Sequence, residues 1–352
     1  MPAFADAAVA VVASDPAAGA EARARQDRLT KPPGSLGRLE DAGVRLAAVA
    51  GRCPPPVPAP AVVAVFAGDH GVLAEGVSPW PVEVTAQMVA NFCAGGAAVN
   101  VLAAHVGVDV VVVDVGVATE LPAAPGVRSA RVRAGTANLA VVPAMTAAEA
   151  SAALDVGAAL AAELVAGGYR CLLTGDMGIA NTTASAALIA AFTGRGAAEV
   201  TGRGTGIDDE RLATKVAVVA RALDRHGPGR DPLDVLASLG GLEIAALAGY
   251  IVGGAAARVP VVLDGVIADA AALGAVALVA NCADYLFAGH RSAEPGASVA
   301  LEHLGLAPIV DLDLRLGEGT GAVLALPALQ VAAKVLADMA TFDSAGVSEA
   351  PG

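Results

Sequence analysis

The sequence predicts an α/β fold: a doubly wound, mainly parallel sheet with helices on both faces, plus a small helical lobe from the N- and C-terminal segments. Short β-branched runs recur along the chain, and each ends in a cluster of Gly and Asp. These runs are mostly apolar and do not alternate with polar residues, as expected for strands buried on both faces of a parallel sheet. Ala- and Leu-rich segments long enough for helices separate them, which indicates doubly wound order.

The elements follow in order along the chain. The first 50 residues show two helix patterns, separated by a turn cluster at residues 31–34, and the second pattern begins at Ser35. A proline-rich connector over residues 53–60 is the best candidate for a linker. The last helix pattern covers residues 325–340. Strands are predicted at residues 62–67, 108–113, 171–174, 260–263 and 307–312.

These elements suggest two units. We expect residues 1–55 and 325–352 to form the small helical lobe. Residues 60–324 should form the large α/β domain that carries the active site. In doubly wound folds, ligands bind beyond the carboxyl ends of the strands, where the polar clusters of this chain lie.

Composition excludes several classes of protein. Hydrophobic residues make up 55% of the 352 residues and the mean hydropathy is +0.63, so a membrane protein has to be considered. The charge-free run at residues 177–194 is interrupted by Asn, Thr and Ser, and we expect no membrane span. The net charge of -13 and the lack of a basic stripe argue against nucleic acid. Four widely spaced cysteines and no signal peptide favour the cytoplasm.

Two glycine-rich segments are candidate anion sites. Residues 175–183 follow a predicted strand and open a helix, so free backbone N–H groups could hold a phosphate. Residues 202–206 form a second loop, with Lys215 about two turns further along the helix. This loop lacks the spacing of a dinucleotide fingerprint. Both segments could instead be ordinary capped helix starts.

A carboxylate and an aromatic ring are further candidates. Glu318 lies between two glycines, and the apolar neighbour Leu316 could raise its pKa toward that of a general base. Trp80 lies on a proline-pinned loop and could stack on a planar ring, with Gln87 on the following helix as a hydrogen-bonding partner. Alternatively, Glu318 is a turn acid and Trp80 fills an interface between lobes. The histidines show no metal-ligand spacing, and the chain has no GxSxG motif.

Ten ordered stretches between residues 31 and 348 together resemble the nicotinate-nucleotide–dimethylbenzimidazole phosphoribosyltransferase family of cobalamin nucleotide-loop assembly. They are KPPGSLGRLE (31–40), FAGDHGV (66–72), GVSPWP with VTAQMVANF (76–92), GDMGIANTTASAAL (175–188), GRGTGIDDE (202–210), GGLEIAALAGYI (240–251), VPVVLDGVI (259–267), AGHRSAEPG (288–296), RLGEGTGAVLALP (315–327) and DMATFDSAGVS (338–348).

The resemblance implies a reaction and a set of site residues. The phosphoribosyl group of nicotinate mononucleotide would pass to 5,6-dimethylbenzimidazole, giving α-ribazole 5′-phosphate and nicotinate, with Glu318 as the catalytic base. The base pocket would be Ser78, Trp80, Gln87 and Leu316. Trp80 stands where relatives have Tyr or Phe, and Asp176 stands where Glu is usual. Phosphate and ribose would contact Gly175, Asp176, Gly178, Asn181, Thr182, Gly204, Lys215, Asp264 and Ser292.

The resemblance also implies a homodimer acting on small molecules, without a cofactor. In phosphoribosyltransferases that use a pyrophosphate donor with Mg²⁺, paired acids precede a phosphate loop. Here Asp208 and Asp209 follow the glycine-rich loop, and a mononucleotide has no pyrophosphate to clamp, so no metal is expected. Two alternatives remain: a nicotinamide- or flavin-dependent dehydrogenase, and a nucleotide- or base-binding regulatory paralogue that has lost turnover.

Overall fold

A six-stranded sheet forms the centre of the computed structural model, which describes residues 3–121, 126–227 and 231–348. Every neighbouring pair of strands is parallel, and their order is β3-β2-β1-β4-β5-β6. The order reverses between β1 and β4, where doubly wound sheets open a ligand crevice. The α/β prediction is confirmed. The strands are β1 Ala61–Gly68, β2 Asp109–Gly116, β3 Val127–Ser129, β4 Cys171–Met177, β5 Val261–Leu263 and β6 Leu286–Ala288.

Helices cover both faces of this sheet. Those before β4 are α1 Ala3–Ala10, α2 Pro16–Arg28, α3 Arg38–Ala50, α4 Glu83–Ala94, α5 Ala98–Val106 and α6 Ala147–Ala166. Those after β4 are α7 Asn181–Thr193, α8 Ala197–Val200, α9 Asp209–His226, α10 Pro232–Leu239, α11 Leu242–Ala256, α12 Val266–Leu278, α13 Pro295–Leu304, α14 Thr320–Asp338 and α15 Phe342–Ala345. Two 3₁₀ turns lie at Gly71–Glu75 and Ala280–Tyr285.

Small residues allow α6 and α11 to pack closely. A methyl group added at Gly157 of α6 would lie 1.8 Å from the carbonyl oxygen of Ala246. One added at Gly249 of α11 would lie 2.0 Å from the carbonyl oxygen of Leu154. Any side chain at either glycine would therefore push the two helices apart. The high Ala and Gly content of the chain thus reflects dense contact between buried helices.

A second, smaller core lies between α2, α3 and the end of α14. Its buried members are Ala22, Val44, Ala47 and Leu336, and Cys53 packs against them. In contrast, α1 packs against α6 and α11 of the large unit, and the N–H group of Phe4 donates to Asp155 Oδ1 at 2.8 Å. The division into a small lobe and a large domain stays a prediction.

Several predicted elements differ from the structure. The strand predicted at residues 307–312 is wrong: there Val310 forms only an isolated bridge with His290, and Asp313 adopts a positive φ. The sixth strand is instead β6, whose three residues are too few to give a clear sequence pattern. The short edge strand β3 was not predicted for the same reason. The first predicted helix pattern is divided into α1 and α2. The helix predicted from Ser35 is α3, which begins at Arg38, and the helix predicted from residue 325 is α14, which begins at Thr320.

Two segments are long and apolar enough to cross a membrane by length and composition alone, namely Glu83–Val106 and Thr320–Asp338. The first comprises α4 and α5, which are separated at Gly95 and Gly96. The second is α14, which packs against β4, β5 and α3 inside the protein. The core helix of a folded domain meets the same length and hydropathy criteria, so these segments are weak evidence for a membrane.

Candidate functional site

A cavity of about 390 Å³ opens at the carboxyl ends of the central strands. Its walls come from the loop before α4, the start of α7, the glycine-rich loop before α9, and the segments after β5, after β6 and before α14. Most of the residues implied by the family resemblance line it: Ser78, Trp80, Asp176, Gly178, Asn181, Thr182, Gly204, Lys215, Ser292, Leu316 and Glu318. Gln87, Gly175 and Asp264 do not.

Glu318 lies in an unusual backbone segment at one wall. Gly317, Glu318 and Gly319 all have positive φ, at 84°, 65° and 96°. The Glu318 carboxylate accepts the N–H of Val99, at the start of α5, at 3.3 Å. Burial raises the pKa of this carboxyl, and the nearby Asp264 raises it further, while the Val99 N–H opposes them. A carboxylate with a raised pKa at a cavity wall has the properties of a general base.

Asp264 was predicted beside the ribose, but the structure places it behind the cavity wall. It follows β5, is fully buried, and accepts backbone N–H groups from the start of α14. Gly175 is likewise behind the wall, because its Cα packs against the Glu318 backbone. A methyl group added there would lie 2.7 Å from the Glu318 carbonyl oxygen. Family motifs show which segments meet but not which way each residue faces.

A positively charged wall forms around the start of α7. Lys215 is buried, and its Nζ donates to Thr182 Oγ1 at 2.8 Å and to the carbonyl of Gly202 at 3.0 Å. Burial lowers the pKa of Lys215 to about 8, although the nearby Glu294 opposes this shift. Gly178 lies at the turn into α7 and lines the same cavity. A buried ammonium, a glycine turn and a helix start together suit a phosphate.

Asp176 and Asn181 form a hydrogen-bonded pair in the same region. Asn181 Nδ2 donates to Asp176 Oδ2 at 2.9 Å, and the other carboxylate oxygen has no partner within the described residues. Burial, followed by the charges of Asp264 and Glu243, raises the pKa of Asp176 well above its usual value. Asp176, which stands where the family resemblance implies a longer Glu, therefore lies at the cavity.

Glu294 is a lining residue that sequence reasoning missed. Its carboxylate accepts the N–H of Gly204 at 2.7 Å, and the Cα of Gly202 packs directly against it. Glu294 is the N-cap residue of α13 and precedes Pro295 at the first helical position. The sequence did contain a signal for Glu294: it is an acidic residue directly before the proline that begins a helix, within a stretch that resembles the family.

Another part of the cavity wall is apolar. Val84 and Met88 of α4 line it with Trp80 and Leu316, whose residues are 49% and 58% exposed at the cavity mouth. Trp80 Nε1 donates to Thr205 Oγ1 of the glycine-rich loop at 3.0 Å. Because Val84 and Met88 lie four positions apart on α4, they share its cavity face.

Gln87 was predicted in the base pocket, but it is exposed on α4 and does not line the cavity. It lies one position from Met88 and therefore points about 100° away around the helix. Sequence reasoning also did not single out Arg315, whose Nη1 donates to the carbonyl of Gly204 at 2.8 Å. Other lining residues that were not singled out include Arg203, Thr205, Ile207 and His290.

Potential metal ligands do not cluster in the part of the chain that the structure describes. Within residues 3–121, 126–227 and 231–348, no group of three or more His, Cys, Asp or Glu side chains is arranged to hold a metal ion. Buried His–carboxylate pairs do occur there: His70 lies 2.6 Å from Glu243, and His290 lies 3.8 Å from Asp264.

Comparison of the sequence with known proteins identifies the same family as the motifs that meet at the cavity. A family model described as phosphoribosyltransferase matches residues 11–347. A nicotinate-nucleotide–dimethylbenzimidazole phosphoribosyltransferase of Salinispora tropica is 58% identical over 350 residues, covering 95% of this chain and 96% of its own. Its counterpart in Chloroflexus aggregans is 56% identical, covering 95% of each chain.

Solved structures give the same result. The crystal structure of the Thermus thermophilus nicotinate-nucleotide–dimethylbenzimidazole phosphoribosyltransferase superposes with a TM-score of 0.91 at 52% identity. The match covers 96% of this chain and 100% of that chain. The chain therefore belongs to the nicotinate-nucleotide–dimethylbenzimidazole phosphoribosyltransferase family.

Proposed function

We propose that this protein transfers the phosphoribosyl group of nicotinate mononucleotide to 5,6-dimethylbenzimidazole, giving α-ribazole 5′-phosphate and nicotinate. One observation carries the proposal: the buried Glu318 carboxylate faces a cavity with an apolar wall on one side and the Lys215 cation on another. The apolar wall suits a planar aromatic base, and the cation suits the phosphate of a mononucleotide.

The proposed reaction balances with Glu318 as the only proton acceptor. One ring nitrogen of the benzimidazole attacks C1′ of the ribose from the face opposite nicotinate, which inverts a β bond to an α bond. The electron pair of the breaking C–N bond leaves with nicotinate. Glu318 takes the proton of the other ring nitrogen, so that the product ring is not left with a positive charge. Because burial raises its pKa above the usual value, Glu318 is a stronger base for this proton than an exposed carboxylate would be.

Two walls would orient the substrates. Trp80 and Leu316 would hold the benzimidazole ring, with Ser78 on the same loop as Trp80. We place the phosphate against Lys215 and the turn into α7, which presents Gly178, Asn181 and Thr182. The ribose would then span the wall between them, where Gly204, Ser292 and Asp176 lie. Holding both reactants in attack geometry is itself a large source of rate.

The site supports this chemistry without a cofactor. A mononucleotide carries no pyrophosphate for a metal ion to clamp, and the Lys215 ammonium supplies positive charge at the anion wall. We propose that the protein acts on small molecules, as the family resemblance implies, and that it works in the cytoplasm without a membrane span or nucleic acid, as its cysteine usage and acidic net charge favour.

We further propose that two copies of the chain form a homodimer. Apolar side chains at the cavity mouth and on α5, where Val101 is 64% exposed, support a subunit interface. Light scattering during gel filtration should give twice the mass of 34.2 kDa. A peak at the mass of one chain would contradict the dimer.

The decisive experiment incubates the purified protein with both substrates and separates the products by chromatography. We expect nicotinate and α-ribazole 5′-phosphate in equal amounts. Glu318→Gln should fold and lose roughly 10²–10⁴-fold in kcat, the contribution of a general base. Glu302→Gln is the control, because this exposed side chain lies away from the cavity. Folded wild-type protein that binds both substrates without turnover would overturn the proposal and favour a regulatory paralogue. Hydride transfer from a nicotinamide or flavin would favour a dehydrogenase.

A further inference from the structure

We infer that Asp264 is a positioning residue for this reaction: it fixes the backbone segment that carries Glu318 and does not bind the ribose. The inference rests on the proposed function, because it assigns the role of Asp264 through the general base of that reaction. Asp264 directly follows β5 and Glu318 belongs to the segment before α14, so the contact joins two distant parts of the chain.

The hydrogen bonds of the Asp264 carboxylate all go to one short stretch of backbone. Oδ2 accepts the N–H of Gly319 at 3.1 Å, and Oδ1 accepts those of Gly321 at 2.7 Å and Ala322 at 3.2 Å. Asp264 is completely buried, and it does not line the cavity, although its neighbour Gly265 does. A carboxylate whose two oxygens already accept three N–H groups is poorly placed to accept a ribose hydroxyl as well.

The segment that it holds needs external support. Glu318 has a φ of 65°, a left-handed conformation that is unfavourable for a residue with a Cβ and persists only where its surroundings enforce it. On the N-terminal side, Thr320 closes the turn by donating from Oγ1 to the carbonyl of Gly317 at 2.9 Å. On the C-terminal side, Asp264 holds the N–H groups of Gly319 and Gly321. Hydrogen bonds therefore hold the backbone on both sides of Glu318.

Asp264 also acts on Glu318 through its charge. The charged or titratable groups that face the Glu318 region are Asp176 from β4, Asp264 after β5 and His290 after β6. The N–H of Val99 from α5 contacts the Glu318 carboxylate directly. The Asp264 charge raises the pKa of Glu318 and so makes the carboxylate a stronger base. Neutralising Asp264 should therefore change the pH profile as well as the rate.

The test compares Asp264→Asn with Asp114→Asn. Asn keeps the shape of Asp264 but turns an NH₂ group toward one of the backbone donors. Asp114 is a matched control: it is also buried near the end of a strand, β2, and accepts the N–H of Val117 at 2.9 Å, away from the cavity. For Asp264→Asn we expect kcat to fall at least about tenfold, with both KM values within about threefold. The acid limb of the kcat profile should move to lower pH. Asp114→Asn should leave kcat, both KM values and the pH profile near those of the wild type.

A double variant separates positioning from direct action. If Asp264 acts only through Glu318, then Asp264→Asn combined with Glu318→Gln should be no slower than Glu318→Gln alone. The inference would be overturned if the losses in kcat of the two single variants multiply in the double variant. An unchanged kcat in Asp264→Asn alone would overturn it too. A rise of about tenfold or more in the KM for nicotinate mononucleotide at constant kcat would return Asp264 to the ribose site. If Asp264→Asn does not fold, Asp264→Ser carries the same test. An inactive wild-type protein would refute the proposed function itself, whereas an active one with an unaffected Asp264→Asn would refute only this inference.

Discussion

Replacing Gly175 by Ala should slow the reaction without removing any functional group. The added methyl would lie 2.7 Å from the Glu318 carbonyl oxygen and 3.1 Å from Val65 Cγ2. Ordinary contacts begin at 3.4 Å, so the Glu318 backbone must retreat by about 0.7 Å. Because a displacement near 1 Å costs about 10²-fold, we expect kcat to fall roughly ten- to a hundredfold. The strain should also lower the free energy of unfolding by about 1–3 kcal/mol.

The assay is steady-state kinetics with both substrates varied, together with thermal unfolding. Gly19→Ala is the control, since its methyl would meet Ala48 Cβ at an ordinary 3.5 Å inside α2. That variant should keep wild-type kinetics and gain about 0.5–1 kcal/mol of stability. Two results would contradict the idea that Gly175 keeps space behind the base. One is a kcat for Gly175→Ala within about threefold of wild type; the other is an unchanged kcat with a raised KM for the mononucleotide.

Three further predictions concern the cavity walls. Because burial raises the pKa of Glu318 and the base must be deprotonated, kcat should fall as the pH drops through a pKa above the usual 4.5; a rate that stays flat below pH 4.5 would contradict this. Trp80→Ala should raise the KM for dimethylbenzimidazole about tenfold and leave that for the mononucleotide nearly unchanged, with Trp80→Phe intermediate because it keeps a ring but loses the bond to Thr205. Lys215→Met should raise the KM for nicotinate mononucleotide, and the wild-type KM should rise above pH 8 as Lys215, with its pKa of about 8, loses its proton; a pH-independent KM would place the phosphate elsewhere.

Much of the fold could be predicted because burial leaves a clear pattern. The strands β1, β2, β4 and β5 are mostly apolar because neighbouring elements cover both faces of the sheet, and each was predicted within a few residues. The three-residue strands β3 and β6 carry too little pattern to detect. The run at 307–312 resembles a strand in composition, yet Pro308 lies within it and it pairs only once, at Val310.

The site was predictable by segment more than by side chain. Motifs identified the stretches that meet at the cavity, and Glu318, Trp80 and Lys215 lie there. Gln87, Gly175 and Asp264 belong to segments that meet at the cavity but do not line it, so their predicted contacts stay predictions. A helix turns its side chains by about 100° per residue, and a strand end can point a carboxylate at backbone instead of ligand. Such directions depend on packing between distant segments, which a motif does not contain.

Two hydrogen bonds connect separate segments that line the cavity: Trp80 donates to Thr205, and Arg315 donates to the Gly204 carbonyl. They bear on how strongly the enzyme discriminates between aromatic bases. A base too wide for the cavity need only break the bond at Trp80, because that side chain is half exposed and can swing outward. One such bond contributes about 0.5–1.5 kcal/mol, which corresponds to at most roughly tenfold discrimination. We therefore expect a graded preference among planar bases, so that the supply of each base in the cell would decide the product as much as the enzyme does.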